Sequence, residues 1–216
     1  MRKALWILAL LVLLAGCSAG ETVEPAADGD ATVSESPAPA ADEESAAEAE
    51  AEPVYAGNET GNAELDAAVH ELLLELCPPE ADAADNLAAV YGWVCDEITY
   101  RAGTTDVSGG FTDEVTQELA LEGLSKRKGN CDTEAAVMAV LLERLGYDCQ
   151  ILQGQFQRED GQWVDHAWVL AQVDGEALHF DPLYGRHYAD DPMDYFMQPD
   201  DAMTATHRWD AAADAA

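Results

Sequence analysis

Three side chains in this sequence are of the types that open an amide bond by nucleophilic attack: a cysteine, a histidine and an aspartate. Cys131 lies in the run Lys128-Gly129-Asn130-Cys131-Asp132. Asn130 is a good helix N-cap, which puts Cys131 in the first turn of a helix. A thiol there feels the positive end of the helix dipole, and Lys126, Arg127 and Lys128 add positive charge just upstream. Both favour thiolate over thiol, the form that attacks carbon. The plainer alternative is a small buried cysteine beside a solvated basic loop.

His166 and Asp181 are tied together by a hairpin. Two strand patterns, Gln162 to Val173 and Glu176 to Phe180, flank Asp174-Gly175, and Asp-Gly between alternating apolar residues is among the strongest hairpin signals. A two-residue turn makes Val173 face Glu176, and therefore Trp168 face Asp181. His166 shares the face of Trp168, two residues along. His166 and Asp181 are then diagonal neighbours on one face, within reach of longer side chains. A slip of one residue would send them to opposite faces. Taken singly, His166 reads as an ordinary strand histidine and Asp181, before Pro182, as a turn residue.

The elements that must position these groups are legible in outline. Leu65, Val69, Leu72, Leu73 and Leu76 recur at helical spacing until Pro78-Pro79, and Leu87, Val90, Tyr91, Val94 and Ile98 form a second helical pattern that carries Gly92. A Gly-rich loop through Gly103, Gly109 and Gly110 leads to a short helix capped by Thr112. The Cys131 helix is apolar on nearly every side and ends at Gly146, which marks it as buried. Cys149 to Phe156 is a further strand. Helices first and antiparallel strands second predict an α+β domain, with the nucleophile helix packed on an antiparallel sheet.

At 216 residues the chain has room for one medium domain. Its formal charge is −33, with no Lys or Arg between Lys3 and Arg101, which argues against nucleic acid as a partner. Arg2 and Lys3 precede an apolar stretch from Ala4 to Ala15. That stretch, about a dozen residues, is shorter than the roughly 20 needed to span a bilayer, and reads as an export signal. It ends in Leu14-Ala15-Gly16-Cys17, which resembles a bacterial lipobox. The resemblance implies cleavage before Cys17 and lipidation of that cysteine, and loss of Arg2 and Lys3 then takes the charge from −33 to −35.

From Ser18 to about Tyr55 the chain is Ala, Glu, Asp, Pro and Ser with almost no large apolar residue, so it cannot bury enough surface to fold. Roughly 40 residues of flexible tether give an end-to-end distance of about 35 Å. The expected organisation is a signal over 1–16, a lipid-anchored acidic disordered linker over 17–58, a folded domain over 59–210 and a disordered tail over 211–216. The expected location is extracytoplasmic, on a bacterial membrane, inner or outer left open, as a monomer.

The motifs together resemble the transglutaminase-like superfamily. Gly129-Asn130-Cys131-Asp132-Thr133-Glu134-Ala135, Glu143-Arg144-Leu145-Gly146-Tyr147, Asp165-His166-Ala167-Trp168-Val169 and His179-Phe180-Asp181-Pro182 carry the likeness, in the order Cys, His-Ala-Trp, Asp-Pro. Ile98-Thr99-Tyr100, Tyr195-Phe196 and His207 are also similar, so that it extends roughly from Leu87 to Trp209. The family often has Thr-Trp after Asp-Pro, where this chain has Leu183-Tyr184, a change in the wall of the cleft. The resemblance implies a papain/transglutaminase-like core and a Cys131-His166-Asp181 triad without cofactor, with Tyr100 as a second oxyanion donor beside the Cys131 backbone N–H.

Two functions follow. One is a surface-tethered cysteine-dependent amide hydrolase or acyltransferase acting on protein or cell-wall peptide amides, with water or an amine as acceptor. The other is a noncatalytic lipoprotein that holds a peptide or protein partner in the same cleft. His70, His179, His187 and His207 read as structural or solvated. Asp190-Asp191 and Asp200-Asp201 read as solvated surface in preference to a calcium site. A zinc site at Cys131, His166 and Asp181 is disfavoured because paired short ligand spacings are lacking. Cys77, Cys95 and Cys149 leave three possible disulfides with one thiol over.

Overall fold

A computed structural model describes Tyr55 and residues 57–210, apart from 104 and 105. The expected export signal, Cys17 with its expected lipidation, most of the expected linker and the expected tail over 211–216 lie outside the described residues. No helix among those described is long and apolar enough to cross a membrane.

Four helices come first, each started by the side chain the sequence offers. Asn62 caps α1 (Ala63–Leu76), Asp82 caps α2 (Ala83–Glu97), Thr112 caps α3 (Asp113–Lys126) and Asn130 caps α4 (Cys131–Leu145), each accepting a backbone N–H of the first turn. Leu65, Val69, Leu72 and Leu73 form the buried stripe of α1. Helix α4 is buried without a break from Thr133 to Leu142 and stops where Gly146 turns left-handed at φ 100°. Tyr55 packs on the core and Gly57 bonds the Arg144 carbonyl at 3.1 Å, so the end of the expected linker already belongs to the folded body.

Strands β3 (Cys149–Gln157), β4 (Trp163–Val173), β5 (Glu176–Phe180) and β6 (His207–Trp209) form an antiparallel sheet in the order β5-β4-β3-β6. The β4–β5 register is the one a two-residue turn dictates, with Val173 opposite Glu176 and Val169 opposite Phe180. Asp174 and Gly175 make that turn at φ 54° and 85°. Ala167, Val169, Ala171 and Val173 face the helical core, while Leu152, Trp168 and Leu170 form a second cluster on the other face with Met203. A short parallel pair, β1 (Thr99–Tyr100) with β2 (Lys128–Gly129), lies just before the Cys131 helix. Helix α5 (Pro182–Tyr188), a 3₁₀ turn at Pro192–Tyr195 and α6 (Asp200–Met203) fill the interval before β6. The fold is α+β, as expected; α5, β6 and the β1–β2 pair carry no sequence signal strong enough to anticipate.

Candidate active site

Cys131 occupies the first position of α4, where backbone N–H groups have no partner within the helix. Asn130 is held twice, its Oδ1 accepting the Thr133 N–H at 3.3 Å and its Nδ2 donating to Asp132 at 2.9 Å. Two of the three upstream cations are engaged elsewhere. Lys126 pairs with Glu122 at 2.9 Å, and Arg127 lies over the Trp93 ring and 3.4 Å from Glu97.

His166 donates from Nε2 to Asp181 Oδ2 at 2.6 Å, with both side chains buried. Its Nδ1 is buried and unpartnered, leaving that nitrogen as the one available to the thiol. Burial works against a charged imidazole, but the Asp181 carboxylate and its hydrogen bond outweigh this. Cys131 contributes in the same sense, and His166 is raised to about 10. For Asp181, burial opposes ionisation while His166 and then His207 favour it, and the carboxyl sits well below its ordinary range.

Asp181 is fixed through backbone and side chain alike. It caps α5, with Oδ1 accepting the Tyr184 N–H at 2.9 Å. Its N–H donates to the Tyr195 carbonyl at 3.1 Å, and its carbonyl lies 3.1 Å from the hydroxyl of the buried Tyr91. His207 Nε2 also reaches Asp181 Oδ2, at 2.9 Å.

Behind His166, Trp168 stacks with ring centroids 5.7 Å apart. The Trp168 indole donates to His179 Nδ1 at 2.9 Å, so His179 carries its proton on Nε2 and gives it to Asp200 at 2.8 Å. Asp200 and Asp191 thus have local roles, the latter capping the 3₁₀ turn. His179 and His207 belong to the motifs of the family likeness, but read from sequence alone they have no role beyond structural or solvated; the structure sets His179 behind Trp168 and His207 on Asp181.

Two cavities, of about 390 and about 600 Å³, share Tyr100, Cys131, Asp165 and His166 in their walls. The smaller adds Phe156, Leu183 and Tyr188, with Arg158 exposed at its edge; the larger adds Asn130 and Gln153. Tyr100 is 51 % exposed, a cleft residue and not a core one. Leu183 supplies apolar wall, while Tyr184 packs its ring 4.8 Å from that of His207.

The ligand atoms of His166, Asp181 and His207 lie within 4.8 Å of one another, near enough to hold a metal ion. Both imidazoles already bond the carboxylate through Nε2 in a fully buried setting, so a cation would have to displace those protons. Cys77, Cys95, Cys131 and Cys149 are all free thiols, which leaves no disulfide among the described residues. Cys149 donates to the Ala139 carbonyl and Cys95 to that of Pro182.

No curated protein matches the chain. A candidate cysteine protease from Cytophaga hutchinsonii is a structural neighbour at 16 % identity and a TM-score of 0.44, over 70 % of this chain and 45 % of the other. A TGase is another at 18 % identity and 0.42, over 56 % and 31 %. The chain spans less than half the length of either. The family model described as the transglutaminase-like superfamily matches residues 72–182, which is half of the chain and takes in Cys131, His166 and Asp181. The chain therefore belongs to the transglutaminase-like superfamily.

Proposed function

We propose that the protein is a cysteine-dependent amide hydrolase or acyltransferase working through Cys131, His166 and Asp181. The observation that carries this reading is the buried His166, bonded through Nε2 to Asp181 at 2.6 Å and left with an unpartnered Nδ1 beside the Cys131 thiol. The thiolate adds to the carbonyl carbon of an amide, and the developing oxyanion meets the backbone N–H of Cys131 at the helix tip. Tyr100, in the wall of the same cleft, is the second donor in this scheme. His166 Nδ1 then gives its proton to the departing amine as the C–N bond breaks, leaving a thioester. Water or a second amine attacks that thioester, His166 Nδ1 takes the proton, and the acyl group leaves as an acid or a new amide.

A cleft extending to both sides of the thiol suits an extended peptide, of protein or cell wall, in preference to a small amide. The export signal and the lipid on Cys17 belong to the same proposal, placing the domain outside the cytoplasm on a tether.

The test is alkylation of Cys131 by iodoacetamide in the full chain, followed by peptide mass spectrometry from about pH 5 to about pH 9. A free thiol, with a pKa of about 8.5, loses reactivity across the lower half of that range. Cys131 is expected to keep reacting there, and His166→Ala to abolish the effect. An ordinary profile, or no reaction at all, would instead favour a cleft that binds a peptide without chemistry.

A further inference from the structure

We infer that His207 is a fourth member of this site, a positioning residue that holds the Asp181 carboxylate in place for His166 from the last strand of the sheet. The inference rests on the triad reading and goes beyond it, since His207 lies outside the matched residues 72–182. Asp181 accepts three hydrogen bonds: His166 Nε2 at 2.6 Å and His207 Nε2 at 2.9 Å on Oδ2, and the Tyr184 N–H at 2.9 Å on Oδ1. Apart from His166, the group to be oriented, Tyr184 holds only Oδ1. The second imidazole fixes Oδ2 as well.

The proton positions follow from chemistry. An ionised carboxylate only accepts, so His207 must carry its proton on Nε2. Its Nδ1 is then an acceptor, and the Thr206 hydroxyl donates to it at 2.8 Å. That hydroxyl oxygen in turn takes the Tyr195 O–H at 3.1 Å. The chain Tyr195, Thr206, His207, Asp181 runs in one direction and delivers a neutral donor to the carboxylate. Burial holds His207 below the ordinary histidine value despite the Asp181 carboxylate, and the neighbouring His166 pushes the same way. A neutral His207 orients Asp181 without competing with His166 for the positive charge.

The backbone secures the arrangement. His207 pairs with Phe156 in the β3–β6 ladder, and the Thr206 carbonyl accepts the Gln157 N–H at 2.8 Å. Phe156 presents its ring to His166 at 5.0 Å between centroids, so one strand segment serves both imidazoles. A merely space-filling residue here would not need two polar partners at zero exposure of its side chain.

The test compares alkylation rates of Cys131 by iodoacetamide at about pH 6 in the full chain and its variants. His207→Leu keeps volume and removes the donor; His207→Gln keeps an amide N–H near the position of Nε2. The His166-dependent part of the rate is expected to fall about tenfold or more in His207→Leu, the scale of one lost hydrogen bond to a charged group, and to recover largely in His207→Gln. The double variant with His166→Ala should be no slower than His166→Ala alone. A His207→Leu rate equal to wild type, or a His207→Gln rate as low as that of His207→Leu, would overturn the inference while leaving the triad intact. A wild-type rate unaffected by His166→Ala would overturn the triad reading and this inference with it. Should His207→Leu not fold, ¹⁵N NMR of the wild-type imidazoles decides. A neutral His207 protonated on Nε2 supports the role, and a charged ring or a proton on Nδ1 refutes it.

Discussion

One carboxylate, Asp181, faces two imidazoles that answer protons in opposite senses. His166, raised to about 10 in the folded chain, has an ordinary value of about 6.5. Its contribution to stability is complete below about pH 6.5 and is lost as pH rises towards 10. His207 is lowered, so its preference for the neutral state costs stability as pH falls below about 6.5. Asp181, depressed in its turn, contributes above about pH 3.9 and loses that contribution in stronger acid. The Tm difference between wild type and His166→Gln should therefore shrink steadily from about pH 6.5 to about pH 10. A difference constant over that range would show that the imidazole is uncharged in the fold. The cysteine, histidine and aspartate could be found in the sequence because each rests on a local signal, a helix cap or a turn. The role of His207 could not be read, although the residue is part of the family likeness, because its partner is met only when a three-residue strand docks. Nor could the sequence show that Lys126 and Arg127 are already engaged by Glu122 and Glu97.

Helix α5 is braced against α2 and α4 by one side chain. Arg186 Nη1 donates to the carbonyls of Cys95 and Ile98, at 2.7 and 2.5 Å, and Nη2 to Glu134 at 2.5 Å. Burial pushes Glu134 up to about 8 even against this guanidinium. Glu134→Gln, which keeps the acceptor and drops the charge, should cost no more than about 1 kcal/mol. Arg186→Leu strands two carbonyls and a buried acid, and should cost about 3–5 kcal/mol in chemical denaturation. Equal losses in the two variants would mean that the charge of Glu134, and not the donors of Arg186, secures the brace. Gly154 permits the approach of β6: a Cβ there would stand 2.4 Å from the Arg208 carbonyl and 2.7 Å from the Trp168 ring. Gly154→Ala should cost about 1–3 kcal/mol and slow Cys131 alkylation together with it, because the displaced strand bears His207. Unchanged stability in that variant would show that β6 has room to move. Capped helices and an Asp-Gly hairpin announce themselves in sequence. Helix α5 did not, since Asp181-Pro182 reads equally well as a plain turn, and β6 lacks both length and alternation.

Residues 55–210 hold 31 acidic and eight basic side chains, a formal charge of −23, and the Cys131 thiol is set in a cleft of that domain. A cationic methanethiosulfonate should modify Cys131 faster at low ionic strength and slow as salt is added, while its anionic counterpart should speed up. Rates that both ignore salt would show that local groups alone govern access. The environment of Asp181 has one more consequence, in time and not in space. His166 and His207 meet the side chain of Asp181, and Tyr91 and Tyr195 its backbone, from separated parts of the chain, and such distant contacts form slowly. During synthesis, which proceeds from the N-terminus, Cys131 emerges well before the strand that seats the carboxylate. On the proposed reading, the thiol gains its His166–Asp181 partner only once the fold is complete.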